Sequence, residues 1–205
     1  MKRKMMIGFI VATVAISSCK KEKPSEPTIP KSNCPTSTSD FQSVYSLLAN
    51  AQDYDDVFSI DLFHHEYEFT LNTNENLCKI GYQSTNDTIT YVMKITNEDA
   101  GTVVYENDHT FDSAQTEYIS VSGVSLNQGV RYKISRKVKY GYDQGLMAHD
   151  LIGRCAYSSG WVQNSPFPLI YGSVTIIKGG FYDDDPSGNT IGDYSFPYID
   201  LIFQQ

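Results

Sequence analysis

The stretch that decides the fold is Gly123-Val124-Ser125-Leu126-Asn127-Gln128-Gly129-Val130-Arg131-Tyr132-Lys133-Ile134-Ser135-Arg136-Lys137-Val138-Lys139-Tyr140. A short apolar run, 124–126, meets the turn Asn127-Gln128-Gly129 and passes into a longer run that alternates. Tyr132, Ile134, Val138 and Tyr140 fall on one side, and Arg131, Lys133, Ser135, Lys137 and Lys139 on the other. Side chains of a strand point to opposite faces in turn, so one face is apolar and the other a row of cations. Arg136 sits on the apolar side, which predicts that the core ends or opens near it. A strand with one greasy face needs a second sheet to cover it.

Working outward, the same period recurs. In 64–71, His65, Tyr67, Phe69 and Leu71 share one face, with His64, Glu66, Glu68 and Thr70 on the other. Runs at 77–82, 88–95, 102–106, 117–121, 151–157, 171–178 and 198–203 follow, separated by turn residues. Asn97-Glu98-Asp99-Ala100-Gly101 has hairpin chemistry, with Gly taking the positive φ. The 15 tyrosines and the roughly nine or ten short strands predict an all-β class. The expected fold is an antiparallel two-sheet sandwich, jelly-roll-like. Ahead of it, 40–48 reads as a short helix capped by Asp40.

The N-terminal segment reads as an export signal. Lys2, Arg3 and Lys4 precede an apolar run, 5–16, that is shorter than the roughly 20 residues a spanning helix needs. The run ends at Ile16-Ser17-Ser18-Cys19, which resembles the bacterial lipoprotein lipobox. That resemblance implies acylation and cleavage at Cys19, with multiple acyl chains giving a firm anchor. The Asp that marks inner-membrane retention is replaced by Lys20, which points to the outer membrane, facing the periplasm or the cell surface. The expected organisation is therefore a signal peptide at 1–18, a lipid-anchored tether at 19–39 and one β-sandwich domain at 40–205. Pro24, Pro27, Pro30 and Pro35 keep the tether extended. What remains, about 165 residues, can bury one core.

Losing Lys2, Arg3 and Lys4 takes the formal charge from −8 to −11. An acidic surface repels phosphate backbones, so nucleic acid is not an expected partner. Loss of Cys19 to the anchor leaves Cys34, Cys78 and Cys155. An exported protein can form disulfides. Cys78 and Cys155, both on expected strands, are the candidate pair; the alternative is two buried thiols acting as small hydrophobes.

An ordered set of strand motifs carries a second resemblance. Tyr67-Glu68-Phe69-Thr70-Leu71, Lys79-Ile80-Gly81-Tyr82, Gly101-Thr102-Val103-Val104-Tyr105, Glu117-Tyr118-Ile119-Ser120-Val121 and Leu126-Asn127-Gln128-Gly129-Val130-Arg131-Tyr132 occur in that order, closed by Tyr198-Ile199-Asp200-Leu201-Ile202-Phe203. Together they resemble the domain of unknown function 4082 family, secreted bacterial β-sandwich domains. The resemblance spans roughly 64–205, with a longer insertion between Tyr140 and Tyr171. It implies a jelly-roll-like sandwich, often beside carbohydrate-active modules, and brings no catalytic residues.

Four constellations were weighed for chemistry. Asp183, Asp185 and Ser187 alternate before Gly188, as oxygens do in calcium loops. The acid expected at the twelfth position is Tyr194, with Asp193 one early, so the reading is either a structural calcium site or a solvated acidic turn. His64-His65-Glu66 does not make a zinc site, because His65 points away from the other two. The row Arg131, Lys133, Lys137 and Lys139 either attracts an anionic partner or is the wet face of a sheet opposite Glu66 and Glu68. Trp161, the only tryptophan, lies in a polar, turn-rich insertion with Gln163 and Asn164. With Tyr142 it forms a candidate sugar-stacking site, the alternative being a Trp that plugs one end of the sandwich. Gly-x-Ser-x-Gly, His-Glu-x-x-His and the phosphate-loop pattern are absent. The chain is therefore expected to be a non-catalytic lipoprotein that needs no cofactor. Its expected partners are the membrane, through the acyl anchor, and a glycan. The alternative is a structural or protein-interaction accessory lipoprotein of an envelope complex.

Overall fold

The computed structural model describes residues 34–35, 39–51, 53–59, 64–84, 86–139, 153–158, 165–182, 190–192 and 195–205. Among them one helix, α1 (Asp40–Ala49), precedes β1 (Asp55–Ser59), β2 (His64–Leu71), β3 (Glu75–Tyr82), β4 (Tyr91–Asn97), β5 (Thr102–His109), β6 (Glu117–Leu126), β7 (Tyr132–Val138), β8 (Gly153–Tyr157), β9 (Leu169–Tyr171), β10 (Val174–Tyr182), β11 (Thr190–Gly192), β12 (Ser195–Pro197) and β13 (Asp200–Phe203). Every strand pairing is antiparallel. No helix among the described residues is long and apolar enough to cross a membrane.

The first layer is a seven-stranded sheet in the order β11-β10-β2-β7-β4-β5, with β9 also paired to β10. The second is assembled from β13-β3-β6 and β1-β8-β12, joined by a bridge between Ser84 and Gly153. Period two decides which side chains meet. From the first layer, Tyr67, Phe69, Tyr91, Met93, Ile95, Tyr132 and Ile134 are buried. They enter the same core as Leu77, Ile80, Tyr82, Leu126 and Leu201 of the second layer. The expected all-β antiparallel sandwich is the observed one.

The 117–121 and 124–126 runs are one strand, β6. Gly123, at φ 75°, supplies the left-handed residue of a bulge where the β3 register jumps from Leu77 to Lys79. Gly101, at φ 65°, turns the β4–β5 hairpin as expected.

The helix cap differs from expectation. Ser39, not Asp40, is the N-cap, its Oγ accepting from the Gln42 N–H at 3.0 Å. Asp40 instead accepts from the Ser173 backbone N–H at 2.7 Å and from its hydroxyl at 2.8 Å. Phe41, Val44, Tyr45 and Leu48 are spaced to share one helix face, and all are buried. Phe41 packs its ring edge-on against Phe69 at 5.3 Å. At the same helix end, Asp200 is buried and accepts from Ser39 and, at 2.8 Å, from Tyr118. Burial holds its carboxyl above the ordinary carboxylate value, against these hydrogen bonds.

Candidate functional site

Cys19, Tyr142, Trp161, Gln163, Asn164, Asp183, Asp185 and Ser187 lie outside the described residues.

The cysteine pairing is corrected. Cys78 is bonded to Cys34, their Cα atoms 5.9 Å apart, and Cys155 is buried outside that bond. Cys78 lies on β3 of one three-stranded sheet and Cys155 on β8 of the other, beside Val57 and Pro197, and a Cys78 sulfur joined to Cys34 leaves nothing to bridge to Cys155.

The cation row is neutralised by its own sheet. Glu68 sits opposite Lys133 across β2 and β7, and Glu66 opposite Ser135. Lys178 reaches Glu68 at 2.9 Å, and Arg131 reaches it at 3.9 Å. Lys133 lies 3.4 Å from Glu98 and 4.0 Å from Glu66. His64 Nε2 lies 3.3 Å from Glu66 on that outer face, while His65 is fully buried on the other. Among the described residues, no group of three His, Cys, Asp or Glu side chains could hold a metal ion.

The inner face of β7 is unlike the outer one. The Arg136 side chain is wholly buried, its guanidinium carbon 5.3 Å from the Tyr82 ring centre and 5.1 Å from that of Tyr91. Both rings present their electron-rich faces to the cation. Phe111 packs edge-on against Tyr82 at 5.3 Å, and Ser84 Oγ joins the Tyr91 phenol at 2.8 Å. A β-carbon on Gly153 would stand 2.9 Å from the His65 ring and 3.0 Å from Arg136 Nη2, and would collide with the Tyr82 hydroxyl. Only glycine lets β8 pass this cluster. Burial, then the Arg136 charge, then His64, hold the His65 pKa well below its ordinary value, so the ring is neutral. Tyr82 is pushed up by burial, against the Arg136 charge. The core does not open at Arg136 as the sequence predicts; it closes over it.

A second cationic clamp is partly exposed. Arg154 makes a forked contact to Asp56, at 2.9 Å from Nε and 2.5 Å from Nη2, and Asp56 also accepts from the Tyr45 phenol at 2.7 Å. Arg154 lies over the Tyr198 ring at 4.8 Å. The arrangement ties β1, β8 and α1 together. A cavity of about 180 Å³ near Asp40, Glu75 and Phe203 is shallow, with Asp40 already engaged by Ser173.

The sequence predicts a strand at 102–106, but β5 runs on to His109, and no site was expected on it. Tyr105, Asn107 and His109 share one face of this edge strand, opposite Ile95, Met93 and Tyr91 of β4. Tyr105 and His109 are half-buried and hydrogen-bonded at 2.7 Å. The signal was present as the alternation Tyr105-x-Asn107-x-His109.

No family model matches the chain, and no curated protein matches it.

Proposed function

We propose that this protein is an envelope lipoprotein, anchored through Cys19, whose β-sandwich is a non-catalytic binding module with glycan as its ligand class. The observation that carries the extracytoplasmic part is the Cys34–Cys78 disulfide. Such bonds persist in oxidising compartments and are rare where thiols are kept reduced. This one also fastens Cys34, within the Pro-rich stretch, directly to β3. A tether clamped to a sheet suits a module held out from a membrane. Carbohydrate as ligand follows from the resemblance to secreted sandwich domains and from the half-exposed aromatic face on β5.

The test begins with the native protein extracted from membranes. A mature mass starting at acylated Cys19 is expected, with Cys19→Ala moving the protein from the detergent phase to the aqueous phase. An unacylated mature protein would overturn the anchor. A glycan array probed with the full chain then addresses the ligand.

The accessory-subunit reading has its own observation. Ile170 is 71% exposed, Tyr171 44% and Leu47 56%, on the adjoining β9 and α1, and a shared exposed apolar patch marks a protein contact. In-membrane crosslinking that captures one stoichiometric protein, with no glycan bound on the array, favours that reading.

A further inference from the structure

We propose that Tyr105, Asn107 and His109 on β5 form a binding platform for the flat face of a neutral pyranose. The proposal rests on the glycan-binding reading above and gives it a location on β5.

The geometry of the two rings carries it. Their planes are 8° apart and their centres 6.2 Å apart. The Tyr105 phenol oxygen and His109 Nε2 are hydrogen-bonded at 2.7 Å. A ring nitrogen of imidazole bonds along the plane of its ring, so the bond runs from the edge of one ring to the edge of the other. The rings therefore lie side by side in nearly one plane. They make a continuous aromatic surface longer than either ring. The hydrogen bond also locks both side chains, so little rotamer freedom is left to lose on binding.

The surface is supported and accessible. Tyr105 packs against the core, and His109 lies 6.0 Å from the buried Phe111. Among the described residues β5 pairs only with β4, and the half-buried rings lie at this edge of the sheet. Asn107 is exposed on the same face, between the two rings in sequence. Its Oδ1 accepts from the Asp108 N–H at 2.9 Å, which fixes the amide and turns its NH2 toward donation to sugar hydroxyls. Burial lowers the His109 pKa, outweighing Asp108, so the ring is a neutral partner.

Charge selects the ligand. The alternate residues Glu106 and Asp108 project to the other face, where Lys94 and Lys139 engage them. β5 itself carries no Lys or Arg to receive a carboxylate or sulfate. The chain carries a formal −8, which repels anionic polymers at longer range. Apolar C–H faces stacked on aromatic rings, with hydroxyls on an amide, describe a neutral sugar rather than a uronate or a nucleotide.

The experiment uses the full chain in detergent, titrated calorimetrically with maltohexaose, laminarihexaose, xylohexaose and mannohexaose, and with hexagalacturonate as the anionic comparison. At least one neutral hexasaccharide is expected to bind, and hexagalacturonate to bind more weakly. Tyr105→Ala and His109→Ala should each weaken the neutral ligand about tenfold, the scale of one aromatic contact. Tyr105→Phe keeps the ring but releases the lock, and should cost less. Each variant is checked for an unchanged unfolding midpoint, and Tyr105→Phe carries the test if the alanine variants lose fold. Neutral-sugar binding that survives the Tyr105 and His109 substitutions but is lost in Trp161→Ala overturns the platform and leaves the glycan reading standing. Absence of binding to every sugar overturns both. Stronger binding of hexagalacturonate overturns the charge argument and with it the proposed ligand.

Discussion

β7 carries cations on both faces, and the two faces obey different physics. On the outer face, Lys133 and Arg131 reach carboxylates at 3.4–4.0 Å while 29% and 47% of their side-chain surface stays in water. Water screens the cation ends, although Glu66 and Glu68 are themselves buried, and holding long side chains in place costs entropy, so each pair contributes little. On the inner face, Arg136 is wholly buried and packs against two tyrosine rings. There the same positive charge must be compensated by the protein. A charge at an odd position in an alternating strand thus reveals more about the fold than a whole row at the regular positions.

The sharpest way to break this contrast is to truncate both. Arg136→Ala removes packing volume and a cation held by two rings, and should cost about 3–5 kcal/mol, the range for cutting a large buried side chain or one partner of a buried charge cluster. Arg136→Met restores volume without charge and should recover a large part of that loss, because buried ions are often replaceable by apolar groups of similar size. Urea unfolding measures both. A loss below about 1 kcal/mol for Arg136→Ala would place the guanidinium in the same class as the surface pairs.

Gly153→Ala tests the same cluster from the β8 side. The added methyl meets the Tyr82 hydroxyl, the His65 ring and Arg136 Nη2, all buried with no free space to move into. Overpacking of this kind should cost about 1–3 kcal/mol. An unchanged urea midpoint would mean that β8 shifts freely and that the cluster is not tightly held.

What the sequence showed, and what it hid, follows the same division. The long two-faced strands were legible. β2 matches its expected bounds, and Tyr132, Ile134 and Val138 are buried as their period requires. β1, β9, β11 and β12 were not, because three to five residues hold too few alternations to display a period. The disulfide was missed because pairing depends on which strands become neighbours. Cys34 lies in a stretch that reads as tether until β3 is found beside it. The helix cap shifted by one residue since Asp40 had a better acceptor role against Ser173. The Tyr105–His109 pair needs the exact lean of two side chains, which no pattern of letters contains.

Acid provides a further lever on the inner cluster. The folded His65 pKa lies well below its ordinary 6.5, with burial first and the Arg136 charge second. The unfolded chain therefore binds a proton that the folded one refuses, and stability is full above about pH 6.5 and declines as pH falls below it. His109, lowered by burial, adds a slope of the same sign. Asp200, raised by burial, works in the opposite sense nearer the carboxylate range. The expected result is a falling urea midpoint between pH 7 and 5 that is flatter in His65→Gln. Imidazole NMR checks the cause without a substitution: a His65 ring that titrates near 6.5 would sink the assignment.

The smallest effect belongs to the outer face. Lys133→Ala removes a cation shared between Glu98 and Glu66, with Lys178 and Arg131 still holding the neighbouring Glu68. The expected loss is below about 1 kcal/mol at low salt, shrinking further as added salt screens the pair. Arg136→Ala should show no comparable salt dependence, because ions cannot reach a guanidinium sealed behind Tyr82 and Tyr91. Measuring the two variants at low and high salt therefore separates the faces by response as well as by size. If Lys133→Ala instead proves large and independent of salt, the burial of Glu66 and Glu68, 7% and 6% exposed, outweighs the exposure of their cations. The outer face of β7 would then have to be treated as a second interior.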